Sequence, residues 1–496
     1  MPTASWRISF CTLSHELGKQ SLLQDLSLDF PKDNIYRFPY IISFRESAVK
    51  QAFVVLTLAM MAAGQAAAAS AVQHLTLKEA IGIALEKNHL IRAADHHAEA
   101  ARQGISMAEA HYYPSVSFEE TFAASNAPTQ AFMMKLDEAR FTQNDFLTNN
   151  LNHPAAYHDF RTALTVNQPL YRPSTAPVRE LAVRESEKQD LVLEAARQDT
   201  AFQVFRLYLE VQKTAAQLHA AEQAIRDARE NMRLAAVRRD TGVGLLSDEL
   251  RARTHLSSAE QRLISACNDL ELAKLRLANV VGLDSGKEFD IAEPTLAVAP
   301  AVSSEDLVAT ARENRKELQQ YHADLGKSEA ALKLARSAYQ PEVGAFASYQ
   351  MNAKDAPFGV DNDAWLAGVS LKWQIFDGFY RSRDRDRAAA ERSAAAEVLE
   401  QSSRDIALQV QESRLHREEM GKRLEVARHS LRDAEETVRL LARRFENSLA
   451  TMVELLDAQN TLNQVRSDLA ESEANDTLAR GRVYYAVGTF LKEIMK

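Results

Sequence analysis

Two segments of this sequence are long enough, and free enough of helix-breaking residues, to dictate its architecture. Residues 178–240 contain no Gly or Pro, and residues 379–447 contain none except Gly421. Proline removes a helical hydrogen bond and glycine weakens a helix interior by about 1 kcal/mol. Each segment is therefore expected to run as one helix of roughly 95–105 Å at about 1.5 Å per residue. Within the first, Leu207, Val211, Thr214, Leu218, Ala221, Ile225, Ala228, Met232 and Ala235 recur at alternating spacings of four and three. In the second, Leu424, Ala427, Leu431, Ala434, Val438, Leu441 and Phe445 do the same. That period, about 3.5 residues, specifies coiled-coil packing against helices laid alongside, and the frequent Ala lets them approach closely.

The chain reads twice through one order of elements. The first copy opens at Leu75 and the second near Ser304, each with a helical pattern and an Asn, Asn88 or Asn314, about a dozen residues in. Both opening helices end in aromatic-Xaa-Pro, at Tyr112-Tyr113-Pro114 and Tyr339-Gln340-Pro341, where proline stops a helix and lets an extended segment begin. Alternating strands follow over residues 116–122 and 160–170 in copy one. Copy two has a weaker strand over 343–349 and a clear one over 365–376, where Trp365, Ala367, Val369, Leu371, Trp373 and Ile375 share a face. Their lengths are near the roughly 9–11 residues of a tilted membrane-spanning strand, but four strands are too few to close a barrel alone. Each long helix then meets a short turn, over 241–246 or 448–451, and a returning helix ending at Val281-Gly282 or Val487-Gly488. Ser247 to Ala252 matches Val453 to Ala458, and Gly282 matches Gly488, at one offset of 206 residues. Duplication accounts for this register. Residues 72–284 and 304–496 are the two repeats, and 285–303, with Pro294 and Pro300, link them.

Residues 52–64 form an apolar run of 13 preceded by Lys50 and followed by small residues. This reads as a secretory signal peptide over 49–71, cleaved after Ala69 or Ala71, and too short to cross a bilayer as a helix. Because signal peptides begin near the initiator, translation is expected to start at Val49, leaving residues 1–48 as a non-native upstream extension. A net charge of -9, with 26% of residues charged and the signs mixed, gives no basic block to hold nucleic acid. Cys11 and Cys267 are the two cysteines and form neither a disulfide framework nor a metal cluster.

Helix, strand pair, very long helix and returning helix, repeated twice behind a signal peptide, resemble the TolC family of outer-membrane efflux proteins over roughly residues 75–490. The most specific stretches are Val166 to Tyr171 (VNQPLY) and Leu371 to Gly378 (LKWQIFDG), similar to the family's strand-to-helix junction, and Val453 to Leu462 (VELLDAQNTL), similar to its returning helix. The resemblance implies a mostly α fold with membrane β: a long antiparallel coiled-coil tunnel in the periplasm, and four strands per protomer in a twelve-stranded barrel shared by a homotrimer in outer-membrane lipid. It also implies a passive exit duct of a tripartite efflux or type I secretion system, reached by a periplasmic adaptor and driven by a proton-driven or ATP-driven inner-membrane pump. The chain departs from the family in the loop of its first strand pair, 123–159, which is much longer than 350–364 in the second. That loop carries Phe132, Phe141, Phe146, Tyr157, His153 and His158 and is expected to face the exterior, folding over the pore mouth, packing on the barrel rim or standing as a variable surface loop.

No catalytic constellation, cofactor motif or metal site emerges, and the chain reads as a non-enzyme. His96 and His97 are adjacent on a helix and point about 100° apart, and His153 and His158 have spacing alone to recommend them. By resemblance Asp248, Glu454 and Asp457 match acidic positions at the family's periplasmic constriction, where threefold symmetry turns each carboxylate into a ring. The alternative for all three is a helix N-terminal residue favoured by the helix dipole. The family's basic and tyrosine gate positions are Ala450 and Phe445 here, with Arg443 or Arg444 as candidate replacements. Trp365, Trp373, Phe376 and Tyr171 read as barrel and belt aromatics. Two other classes compete. A coiled-coil scaffold leaves the strands and leader unexplained, and a periplasmic adaptor would have one hairpin flanked by β-rich domains.

Overall fold

The computed structural model describes residues 73–283, 289–292 and 304–495. The upstream extension, the leader and most of the linker lie outside them. In chain order the elements of copy one are β1 (Gln73–Leu75), α1 (Leu77–Lys87), α2 (His89–Glu109), β2 (Ser115–Ser125), α3 (Pro128–Asp137), α4 (Thr148–Asn152), β3 (Tyr157–Tyr171), α5 (Thr175–Asp240) and α6 (Leu246–Val281). After β4 (Phe289–Ile291), copy two runs α7 (Ser304–Asn314), α8 (Lys316–Ser337), β5 (Glu342–Ala353), β6 (Asn362–Lys372), α9 (Tyr380–Glu446), α10 (Met452–Ala486) and the short α11 (Phe490–Ile494).

The two expected long helices are continuous, 66 residues in α5 and 67 in α9. Every heptad position named above is buried or half-buried. Each long helix folds back on its returning helix, α5 on α6 and α9 on α10. Within hairpin one the covering is apolar, with Ile225 and Ala228 against Ala259. Between α5 or α6 and α10 polar pairs recur along the lower half: Asn231 donates to Gln459, His255 Nε2 lies 3.0 Å from Asn460 Oδ1, and Gln217 donates to Ser467 at 3.3 Å.

All four strands are antiparallel in the order β2-β3-β5-β6, so the copies join at β3–β5 and both outer strands keep an open edge. They are longer than the sequence suggests, except at the end of β6. The alternation expected through Phe376 stops at Lys372, leaving Trp373 and Ile375 outside the strand. There Asp377 accepts bonds from the Arg381 amide (3.1 Å) and guanidinium (2.7 Å), while Gly378 turns the chain at φ +66° into α9. The register sorts most side chains by polarity, with Glu120, Thr162 and Asp363 on the apolar face and Phe346 and Leu366 on the polar one as exceptions. Val116, Phe118 and Phe122 of β2, Leu164 and Val166 of β3, Val343 and Tyr349 of β5, and Trp365, Val369 and Leu371 of β6 share one face, and most are exposed, Trp365 by 77%. Ser117, Thr121, Arg161, Thr165, Ser348, Gln350, Asn352 and Ser370 share the other. A sheet with its apolar face outward and its polar face inward inverts the pattern of a water-soluble sheet.

Below the sheet, near the middle of the long helices, a core gathers Leu75, Ile81, Phe205, Tyr208, Leu277 and Phe490. The linker contributes β4, which pairs in parallel with β1, and the buried Tyr208 hydroxyl lies 3.0 Å from the Leu75 carbonyl and 2.6 Å from that of Ala292. Both opening helices break at the same place against the end of their own returning helix. Asn88 Nδ2 donates to Val280 O at 2.9 Å and Arg315 Nη1 to Ala486 O at 3.1 Å, and those two carbonyls stand at the 206-residue offset. The structural counterpart of Asn88 is thus Arg315 and not Asn314. At each break a left-handed glycine lies close to the helix, and a Cβ on Gly488 would come 2.9 Å from the Asn314 carbonyl. That contact and a φ of +77° both require glycine.

One close contact tests this packing. Gly481 lies inside α10, where alanine would favour the helix by about 1 kcal/mol, yet a Cβ there would sit 2.2 Å from the Phe205 ring. Overpacking of this kind typically costs about 1–3 kcal/mol. Gly481→Ala is therefore expected to lower the thermal unfolding midpoint measured by circular dichroism, and Gly421→Ala, whose nearest neighbour would be 3.7 Å away, to leave it unchanged or raise it.

Candidate functional site

The two turns that end the hairpins form one cluster. Turn one closes on the end of α5: Val243 N and Gly244 N both donate to Arg238 O, at 2.9 and 2.8 Å, and Gly242 takes φ +77°. A side chain at Gly244 would come within 2.9 Å of the Arg238 Cβ. Turn two is tighter. Ser448 takes a left-handed φ of 60°, Leu449 N donates to Arg444 O at 2.7 Å, and Thr451 starts α10 as its N-cap. Beneath the turns Ala235, Ala252, Phe445, Met452, Leu455 and Leu456 bring all four long helices into one apolar cluster. On the outside Val243, Leu245, Leu246 and Leu449 are exposed.

Arg238 ties the hairpins together. From the last turn of α5 it donates Nη1 to the Phe445 carbonyl at 2.7 Å and Nη2 to Ser448 Oγ at 2.8 Å, and its guanidinium lies 4.7 Å from the Phe445 ring centroid. One acceptor is in the last turn of α9 and the other in turn two, so one side chain of copy one holds the reversal of copy two. Next to it Arg239 pairs with the buried Glu249 in the first turn of α6, and Arg253 joins the same carboxylate at 3.1 Å. Sequence reading found neither. Two arginines at a helix C-terminus look like complements to the dipole. The available signal was the duplication itself, since Arg238 stands at the 206-residue offset from Arg444.

The three acidic positions singled out from the sequence lie on the two returning helices, Asp248 on α6 and Glu454 and Asp457 on α10. Asp248 is half-buried in the first turn of α6. Glu454 closes a capping box, accepting from Thr451 N at 2.7 Å and Thr451 Oγ1 at 2.9 Å. Those bonds, the backbone one first, hold its carboxyl below the usual glutamate range, so it stays ionised through neutral and mildly acidic conditions and yields its proton-free form only as pH falls below that lowered value. Asp457 is exposed one turn further along α10. The exposed His96 and His97 are on α2; His153 ends α4, and His158 sits in β3 beside Phe122. Among the described residues no group of three or more His, Cys, Asp or Glu is placed to hold a metal ion, and no helix is long and apolar enough to cross a membrane.

Known proteins share this arrangement. The chain is 25% identical over 338 residues to protein CyaE of Bordetella pertussis, covering 66% of each, and 22% identical over 247 residues to the solvent efflux pump outer membrane protein SrpC of Pseudomonas putida, covering 49% of this chain and 52% of that one. The match thus spans two thirds or less of either relative. The solved structure of CusC superimposes with a TM-score of 0.71 at 18% identity, covering 83% of this chain and 92% of that one, so the fold is that of a transmembrane channel with a helical tunnel and barrel strands. Residues 80–283 and 307–489 match the family described as outer membrane efflux protein, and because those segments are the two copies of the repeat and most of its length, the chain belongs to that family.

Proposed function

We propose that the protein is the outer-membrane exit duct of a tripartite efflux or type I secretion system, working as a homotrimer and passing substrate to the exterior without an energy source of its own. The observation that carries this reading is the four-stranded sheet: apolar on one face, polar on the other, with both edges unpaired. Three such sheets joined edge to edge make a closed barrel of twelve strands, which satisfies every edge amide and faces lipid with the apolar side. Six long hairpins would continue below it as the wall of a periplasmic tunnel. An inner-membrane pump, proton-driven or ATP-driven, would supply the work. A periplasmic adaptor would meet the tips, where Val243, Leu245, Leu246 and Leu449 offer exposed apolar side chains at the reversals.

In the trimer the tips become a throat. Asp248, Glu454 and Asp457 would each appear three times around the axis, and a ring of carboxylates in a narrow opening draws cations. Glu454 does double duty there, capping its helix while contributing charge. The duplication also assigns a partner to Arg444. As the counterpart of Arg238 it would reach the first turn of the next protomer, where the position matching Ser448 is Gly242, which has no hydroxyl. The link between protomers would therefore have one side-chain acceptor fewer than the link within a protomer.

Conductance of the purified trimer in planar bilayers tests both parts. A cation-selective pore is expected, with selectivity reduced in Asp457→Asn and further reduced when Asp248→Asn and Glu454→Gln are added. A pore indifferent to all three would remove the throat from this position, and a membrane-inserted trimer without conductance would remove the duct. Arg238→Ala is expected to raise the open fraction, since each hydrogen bond to a charged group typically contributes about 1.5–3 kcal/mol. Arg444→Ala should act in the same direction with a smaller effect, and conductance unaltered by Arg238→Ala would exclude it as a lock.

A further inference from the structure

The long external loop, residues 126–156, folds into a small body of its own. Phe132, Phe141 and Phe146 pack in series with ring centroids 4.5 and 4.9 Å apart, and Lys135 pairs with Asp145 at 2.6 Å. That pairing, with bonds from Thr142, holds the Asp145 carboxyl down at about 2, so the body keeps this tie until strongly acidic pH. It is anchored on the polar face of the sheet. The Tyr157 hydroxyl donates to Glu138 Oε2, and Asn362 Nδ2 donates to the Asp137 carbonyl at 2.9 Å. Tyr157, Asp159, Asn352 and Asn362 share that face by register. Arg140, just beyond, pairs across to the short loop of the second hairpin, with Asp361 at 2.9 Å and Asp355 at 3.1 Å.

Glu138 is the unusual group in this anchor. It is 1% exposed, and its Oε1 has no hydrogen-bond partner; nor has the buried Asp159 Oδ1, although Asn352 donates to the other oxygen of Asp159 at 2.7 Å. An ionised carboxylate with an unpaired buried oxygen is strongly disfavoured. The groups around Glu138 do not relieve this. β3 presents Tyr157 and Asp159, with His158 on the opposite face beside Phe122; the loop itself presents Lys135, Asp137 and Arg140. The second hairpin presents Lys354, Asp355 and Asp361. Of the cations, Lys135 and Lys354 lie over the Tyr157 ring, and Arg140, 3.9 Å from Glu138, is shared with Asp355 and Asp361.

We propose that residues 126–156 form a proton-controlled lid over the external mouth of the duct, seated while Glu138 is neutral and loosened when Glu138 ionises. That the lid lies over a mouth rests on the duct reading; its response to protons does not. Burial raises the Glu138 carboxyl above its ordinary value, outweighing the Tyr157 bond that lowers it. A group raised in the seated state and ordinary in the released state binds a proton on seating. Seating is therefore favoured at low pH and loses its advantage as pH rises through the raised value. Asp361 sets the opposite limit. The Lys354 amide, then Arg140, hold its carboxyl low, so the Arg140 tie is kept until strongly acidic pH.

Hydrogen exchange of the full-length trimer, read by mass spectrometry and corrected for intrinsic rates, tests the inference at pH 5.5 and 8. Amides of residues 128–152 are expected to lose protection at the higher pH, by about tenfold for each unit that separates the seated and released values, while β3 amides stay unchanged. Glu138→Gln should remain protected at both pH values. Tyr157→Phe, which removes the bond that favours ionisation, should keep the response and move its midpoint to higher pH. Equal protection of the wild-type lid at both pH values would overturn the proposal, as would a Glu138→Gln lid that follows pH as the wild type does. Bilayer conductance tests the duct separately, so loss of one reading would leave the other measurable.

Discussion

A four-stranded sheet with an outward apolar face cannot stand alone in either solvent available to it. In water its exposed tryptophan, phenylalanine and valine side chains lack cover, and in lipid the unpaired amides of its two edge strands have nothing to bond. The apolar face is therefore satisfied only in a bilayer, and the edges only by further strands. In the trimer proposed above, copies of the same chain would supply those strands. Sheets joined in a ring would carry the helices that leave them into a ring as well, which accounts for heptad positions that face neighbouring helices along α5 and α9 beyond the core at mid-length.

Along those helices the contacts within a hairpin differ from those between hairpins. Each long helix is covered by its own returning helix through alanine and aliphatic side chains, contacts that resist separation. The hairpins meet each other through Asn231 with Gln459, His255 with Asn460 and Gln217 with Ser467. Bonds of this kind can be exchanged for bonds to water at small net cost. The hairpins are thus joined partly by replaceable links and partly by two apolar contacts, Phe202 and Phe205 against Tyr485 and Gly481 at mid-length and the cluster around Phe445 and Met452 directly under the turns that Arg238 ties together.

Much of this was legible in the sequence because it depends on period and repetition. The 3.5-residue spacing marked both long helices and the buried seams of their lower halves, though not Phe205, Tyr208, Ile406 or Val410, the alternation of Trp365 to Leu371 marked an apolar strand face, and the register from Ser247 onward marked the duplication. What escaped depends on contacts between segments far apart in the chain. The helix over Pro128–Asp137 sits in a loop whose structure is set by an aromatic stack and by Tyr157, not by amphipathic period. Strand β4 is three residues long and is held by β1 and the Tyr208 hydroxyl. The acids chosen at the tips were legible as acids near turns, and for Glu454 the helix-terminal reading is the one borne by its bonds from Thr451.

Comparison of the two copies sharpens where the molecule is able to differ from itself. At the helix breaks the same carbonyl is met by an asparagine in copy one and an arginine in copy two, and the same glycine closes each approach. There the backbone geometry is kept and the side chain is free to change. At the tips the reverse holds. The arginines persist at matched positions while their surroundings diverge, Ser448 in one turn standing opposite Gly242 in the other. A left-handed backbone conformation is cheap for glycine and costly for serine, so the serine carries a strain that its bond from Arg238 offsets. Loss of that bond removes the compensation as well as the contact. The turn of copy two is consequently the one whose conformation depends on its neighbour, and the turn of copy one holds its shape through its own glycines.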